Sequence, residues 1–253
     1  MIRRTRVIPC LLLRGRELVK TERFRRARYV GDALNTVRIL NEKEVDELLV
    51  LDIDAASQNR APQTGLIRDL AGECFMPLTY GGGVKTLQQM EGLFSAGCEK
   101  IALHQAALER PAFVEEAVRA FGSQSVSVVI NAKKNLFGGY AVTDARVKKT
   151  GAAGPVERAK QLAESGAGEI VLQSVDRDGT RAGYDLELIR QVAAAVRVPV
   201  VALGGAGSIE DLKRAADAGA SAVAAGSFFV FHGKHQAVLV TYPTPNELDA
   251  CLR

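Results

Sequence analysis

The constraint that does most to limit this chain is an internal repeat of about half its length. PVVALGGAGSIEDLKRAADAGASAVAAGSFF (199–229) reads as a buried strand, a glycine turn, an amphipathic helix and a short strand ending in Gly-Ser. PLTYGGGVKTLQQMEGLFSAGCEKIALHQAAL (77–108) repeats that order, with Gly81 recurring as Gly204. VDELLVLDIDAASQNR (45–60) and AGEIVLQSVDRDGTR (167–181) match in the same way, with Glu47 recurring as Glu169. A repeat of this length points to two stacked half-domains.

Within each half, strands alternate with helices, which argues for a parallel sheet buried on both faces. The expected strands are 6–13, 47–53, 76–80, 100–103, 125–134, 169–173, 200–203 and 222–225. Eight strands in 253 residues predict a single (βα)8 TIM barrel over 1–253, with a two-fold half-barrel repeat. Residues 14–35 are expected to form a long loop, in which Arg23, Arg25, Arg26 and Arg28 make either a solvated face or a lid over an anion. Residues 138–151 read as a small inserted hairpin, and the end of the chain leaves room for one short helix.

Composition narrows the function. The 33 basic and 29 acidic residues are interspersed and the net charge is +4, which excludes nucleic acid as a main ligand. The apolar run Val7 to Leu13 is too short to span a membrane. Cys10, Cys74, Cys98 and Cys251 lie far apart, as expected of reduced thiols in the cytoplasm. His104, His232 and His235 lack partners at ligand spacing, so neither a metal nor a cofactor is expected.

In such a barrel the reactive groups gather where strands end. Those positions include Leu12, Asp52, Gly82, Gln105, Asn131, Asp178, Gly205 and Ser227. Glycine-rich loops in both halves present bare amides, which suits a ligand with a phosphate at each end. The candidate phosphate residues are Gly82 and Gly83 in the first half, and Gly179, Gly205, Gly226 and Ser227 in the second. Lys20, from the loop after strand one, is placed to reach the same mouth.

VIPCL (7–11), DELLVLDI (46–53), GGGVKT (81–86), FGSQ (121–124), GAGEI (166–170), DRDGTRAGYDLELIR (176–190) and GGAG (204–207) together resemble the cyclase subunit of imidazole glycerol phosphate synthase. The resemblance runs over nearly the whole chain. It implies a barrel that docks a glutamine amidotransferase at its bottom face. Ammonia then passes along the axis to a phosphorylated small molecule at the top. It also implies catalytic aspartates ending strands one and five, but Leu12 and Asn131 stand there. Leucine has no titratable proton, and an amide cannot act as a carboxylate does. His104-Gln105 replaces an Asn-Thr pair expected at a phosphate, Leu203 replaces a serine, and Gln173 replaces a threonine.

The opposite end keeps the residue types that the resemblance implies for an ammonia gate, in Arg6, Glu47, Lys100 and Glu169, with Glu99 on the docking face. Loss of catalytic acids with retention of the gate resembles a divergent branch associated with surface-polysaccharide (lipopolysaccharide O-antigen) synthesis. There the barrel and its glutaminase feed a sugar amidotransferase that builds an amidino group. Two further readings stay open. One is a histidine-biosynthesis cyclase, a lyase that works through Asp178, Lys20 or Asp52. The other is a related two-phosphate isomerase, against which Leu12 counts.

Overall fold

The computed structural model describes residues 4–233 and 235–252. Eleven strands form one sheet, in chain order β1 (Arg6–Arg14), β2 (Glu17–Glu22), β3 (Arg25–Asp32), β4 (Leu48–Asp52), β5 (Leu78–Gly81), β6 (Lys100–Leu103), β7 (Val126–Lys134), β8 (Tyr140–Thr143), β9 (Glu169–Ser174), β10 (Val200–Leu203) and β11 (Ala222–Ala225). Eight of them are parallel and follow the order β1-β4-β5-β6-β7-β9-β10-β11, and β11 pairs back onto β1 to close the barrel. This is the expected (βα)8 fold, with helices packed around it.

Alternation along each strand sorts the core. On β1, Ile8, Cys10 and Leu12 join an interior cluster with Leu49, Ala102, Val129, Val171, Val201 and Ala224. Their neighbours Leu11 and Leu13 belong instead to the cluster under the helices. Successive side chains of a strand point to opposite faces, so one register sets both the lining and the outer core.

The half-barrel repeat extends to the helix starts. Thr86 caps the helix Leu87–Ser95 in a capping box with Gln89, and Ser208 caps Ile209–Asp217 in one with Asp211. In each, the hydroxyl accepts from the N3 amide and the N3 side chain accepts from the cap's own amide, satisfying two otherwise bare donors. The last helix, Pro245–Leu252, is short, as expected.

The segment after strand one differs from the expectation. It is a hairpin of β2 and β3 rather than a loop, and β2 continues antiparallel from β1 with Leu12 opposite Val19. The sequence signal is weak because β3 (RRARYVGD) is mostly exposed and carries few apolar residues. Leu18, Val19 and Lys20 are nonetheless buried, and they fasten the hairpin over the barrel mouth. The later insert differs in part from the expected hairpin within 138–151. β8 pairs with β7 across the turn at 135–139, and within 138–151 the chain returns through a single bridge, Thr143 to Lys149.

Candidate functional site

At the N-terminal end of the barrel, four side chains from four different segments form a closed ring. Lys100 donates to Glu47 Oε1 at 2.7 Å and to Glu169 Oε2 at 3.3 Å. Arg6 donates to both carboxylates as well, through separate guanidinium nitrogens. Two cations and two anions alternate, so the ring is neutral. Glu47 and Glu169 are buried, and Thr79 Oγ1 donates to Glu47 at 2.9 Å. Burial opposes the charge on Arg6, but Glu169 and Glu47 outweigh it and hold its pKa above the ordinary value. All four expected gate residues meet here. Glu99 is exposed on the same rim, in the turn that leads into Lys100.

Above the ring, the inward positions of β1 run from Arg6 through Ile8 and Cys10 to Leu12, a rise of about 20 Å for a strand. At the top a cavity of about 270 Å³ opens, with Leu12, Asn131, Gln173 and Val129 inside and Arg25, Arg26 and Arg146 among its wall residues. The structure therefore brings together the two strand ends where the resemblance implies acids, and both are neutral. Asn131 is buried and its Oδ1 has no hydrogen-bond partner. Asp52 also reaches this cavity, but it is tied up: it accepts from the Ala55 amide at 3.0 Å and pairs with Arg60 at 2.9 Å.

Gly82 and Gly83 line the same cavity. Both have positive φ, and a β-carbon at Gly82 would run into the Asp52 carbonyl. His104, in the altered pair, is half-buried on the cavity wall with Nε2 3.3 Å from the Thr143 carbonyl. Burial, opposed by that carbonyl and by Asp144, lowers its pKa to about 4, so the ring is neutral at pH 7. A neutral Nε2 must carry the proton to donate to a carbonyl.

The second-half candidates lie beside a much smaller space of about 20 Å³, lined by Lys20, Asp178, Gly179, Gly205, Gly226 and Ser227. Lys20 is buried and its ammonium donates to the Cys10 carbonyl, directly over Gly226. Burial lowers its pKa, partly offset by Cys10 and Asp178. Asp178 accepts from Thr21 Oγ1 at 2.8 Å and from the Phe24 amide at 3.2 Å, both in the hairpin. Its pKa is raised by burial, against the pull of Thr21, Phe24 and Lys20. Gly179 sits so close to the Thr21 carbonyl that no β-carbon fits. The hairpin thus covers this half, and the sequence does not signal it because few apolar residues mark β3.

Among the described residues no group of His, Cys, Asp or Glu is arranged to hold a metal ion, and no helix is long and apolar enough to cross a membrane.

Residues 6–236 match the family model described as histidine biosynthesis protein. The chain is 52% identical over 98% of its length to the Pseudomonas aeruginosa protein named "Putative imidazole glycerol phosphate synthase subunit hisF2", covering 99% of that protein. It is 47% identical to a Leptospira interrogans protein given the same name with HisF, over 97% of each chain. Against "Imidazole glycerol phosphate synthase subunit HisF" of Thermobifida fusca it is 40% identical, over 89% of this chain and 90% of that one. The chain belongs to the HisF family. Within that family it is a divergent paralogue, with leucine and asparagine at the two strand ends where the cyclase resemblance implies aspartates.

Proposed function

We propose that this HisF-family barrel conducts ammonia without cyclising a substrate. A glutaminase docks on the bottom rim around Glu99 and the four-residue ring, and ammonia leaves at the top. A sugar amidotransferase then takes it up to build an amidino sugar for a surface polysaccharide. The observation that carries this reading is the pairing of an intact charged ring at one end of the axis with Leu12 and Asn131 at the other. Buried charges are costly unless paired, and a ring of four on the barrel floor adds little stability over apolar packing. Its retention fits a gate that opens when salt bridges exchange. Between floor and mouth the lining is aliphatic, including Val129, Val171, Ala222 and Ala224. Such a wall holds no fixed charge that would capture ammonia as ammonium.

The test is reconstitution of the barrel with its glutaminase and a sugar amidotransferase. Product should form from glutamine, whereas the two-phosphate histidine intermediate should not be converted even when ammonium salts are supplied. A histidine auxotroph lacking its cyclase subunit should remain auxotrophic when given this chain. Ready turnover or complementation would overturn the reading.

One observation favours the alternative, a histidine-pathway cyclase. Lys20 and Asp178 share the small second-half space, and the raised pKa of Asp178 suits a general acid. Against it, both groups already have partners, and the hairpin shuts that space.

A further inference from the structure

Leu136 and Phe137 are 99% and 98% exposed, at the tip of the turn between β7 and β8. No part of the described chain covers them. The turn is nevertheless well formed. Asn135 Oδ1 accepts from the Phe137 and Gly139 amides, each at 3.0 Å, and the Asn135 amide donates to the Gly139 carbonyl at 2.8 Å. A partner would therefore meet the apolar pair already presented, with little ordering cost.

The surroundings define that partner. Residues 133–149 carry Lys133, Lys134, Arg146, Lys148 and Lys149 against a single acid, Asp144. The same insert borders the cavity: Arg146 lines it and donates to the Ser57 carbonyl at 2.9 Å across the rim. The tip also rises from β7, the strand that carries Asn131 into the cavity. Lys133 and Lys134 adjoin the apolar tip, whereas Arg146, Lys148 and Lys149 lie at the far end of β8, toward the cavity. An apolar tip joined to an opening by a basic strip calls for a protein surface with an apolar pocket bordered by Asp and Glu.

Resting on the ammonia-conducting reading, we propose that the β7–β8 insert is the docking element for the enzyme that consumes the ammonia. Leu136 and Phe137 fill an apolar pocket on that enzyme, and the basic strip from Lys133 and Lys134 to Lys148 and Lys149 pairs with acidic residues beside that pocket. A small neutral molecule leaving the mouth must pass straight into another active site or be lost to water. A seal at the rim supplies that passage. A lipid surface would satisfy an apolar tip with basic neighbours too, but it would bury the opening and offer no site for ammonia to react.

The experiment uses the full barrel–glutaminase complex and a purified sugar amidotransferase, with Leu136→Ser/Phe137→Ser and Lys148→Glu/Lys149→Glu as separate variants. Each should weaken binding of the amidotransferase at least about tenfold, since removal of one good anchor residue has that effect. Binding of the wild type should also weaken with added salt. Glutamine-dependent product should fall while supplied ammonium restores it. Glutaminase docking and the unfolding temperature should not change. Wild-type affinity in both variants, with glutamine-dependent product intact, would overturn the docking element and leave the conducting role standing. Sedimentation of the wild type with phosphatidylglycerol vesicles, lost in the serine variant, would assign the tip to a membrane and overturn it as well. No glutamine-dependent product from the wild-type complex would remove the conducting role and the docking element together.

Discussion

The Lys20 ammonium occupies the space that a β-carbon on residue 226 would need. Gly226 is thus the partner that lets a buried lysine reach the Cys10 carbonyl from a hairpin outside the barrel. Gly226→Ala should push Lys20 off its acceptor and destabilise the protein by about 1–3 kcal/mol, the usual cost of a buried polar group left unsatisfied. Adding Lys20→Met should recover part of that loss, because the clash and the stranded charge go together. Denaturant unfolding of both single variants and the double variant measures the coupling. Strictly additive losses would show that the two residues do not interact in this way.

The floor ring gives a prediction with two readouts. Glu169→Ala leaves Arg6 and Lys100 sharing Glu47 alone. Arg6 is 37% exposed, so water screens part of the imbalance. The cost should therefore be about 1–3 kcal/mol, below the ~3–5 typical of a fully buried pair. In the reconstituted system, glutamine-dependent product should fall further than product from supplied ammonium. An equal fall in both would place the defect at the mouth rather than at the floor.

His104 provides the pH dependence. Its folded pKa of about 4 lies below the ordinary 6.5 because of burial. For a depressed group, stability is fully present above the unfolded value and is lost as pH falls through the folded one. Between pH 7 and pH 5 the unfolded chain takes up a proton that the native imidazole refuses, which costs about 2 kcal/mol. His104→Asn should flatten that limb of the stability curve by about this amount. An unchanged slope would mean that His104 protonates without resistance in the folded state.

The barrel was legible in the sequence because local pattern sets it, whereas the ring residues were marked only by the resemblance to the cyclase family. Glycine-bounded apolar runs mark the strands, and two-residue alternation carries Arg6, Ile8, Cys10 and Leu12 to one face. Repeat partners such as Glu47 and Glu169 point to the same level of the barrel. The β2–β3 hairpin was not legible. Its burial rests on Leu18, Val19 and Lys20, while Arg23, Phe24 and Arg26 adopt positive φ, which non-glycine residues rarely signal in advance. The unequal room at the two phosphate candidates follows from that hairpin, so the glycines alone could not reveal it.

That difference in room leads to a prediction about anions. Gly179 and Gly226 are each packed against the hairpin, at Thr21 and Lys20, whereas Gly82 and Gly83 face the larger cavity. Phosphate or sulfate entering the second half must move the hairpin outward, yet would then meet the ammonium of Lys20 and the amides after β10 and β11. Binding there should be slow, and it should speed hydrogen exchange at the Arg23 and Phe24 amides that bond to Asp178. Lys20→Met should abolish that change. A change confined to residues 82–85 would assign anion binding to the first half.

The last prediction concerns the two altered strand ends. Leu12 and Asn131 line one cavity from opposite halves of the barrel, and each is buried. Leu12→Asp and Asn131→Asp each place a carboxyl in that space without the second acid that cyclisation requires. Neither single variant should turn over the two-phosphate histidine intermediate, since one missing general acid or base costs about 10²–10⁴ in rate. The double variant should give weak turnover with supplied ammonium, limited by His104-Gln105 at the first-half phosphate candidate. Leu12→Asp should also cost stability, because it exchanges packed aliphatic surface for a group that must stay protonated or be hydrated. Steady-state assays across the four proteins decide the matter. Turnover by the Asn131→Asp variant alone would show that another group, with Asp178 the nearest candidate by type, already serves as the second acid, and the conducting role would then be secondary to a dormant cyclase.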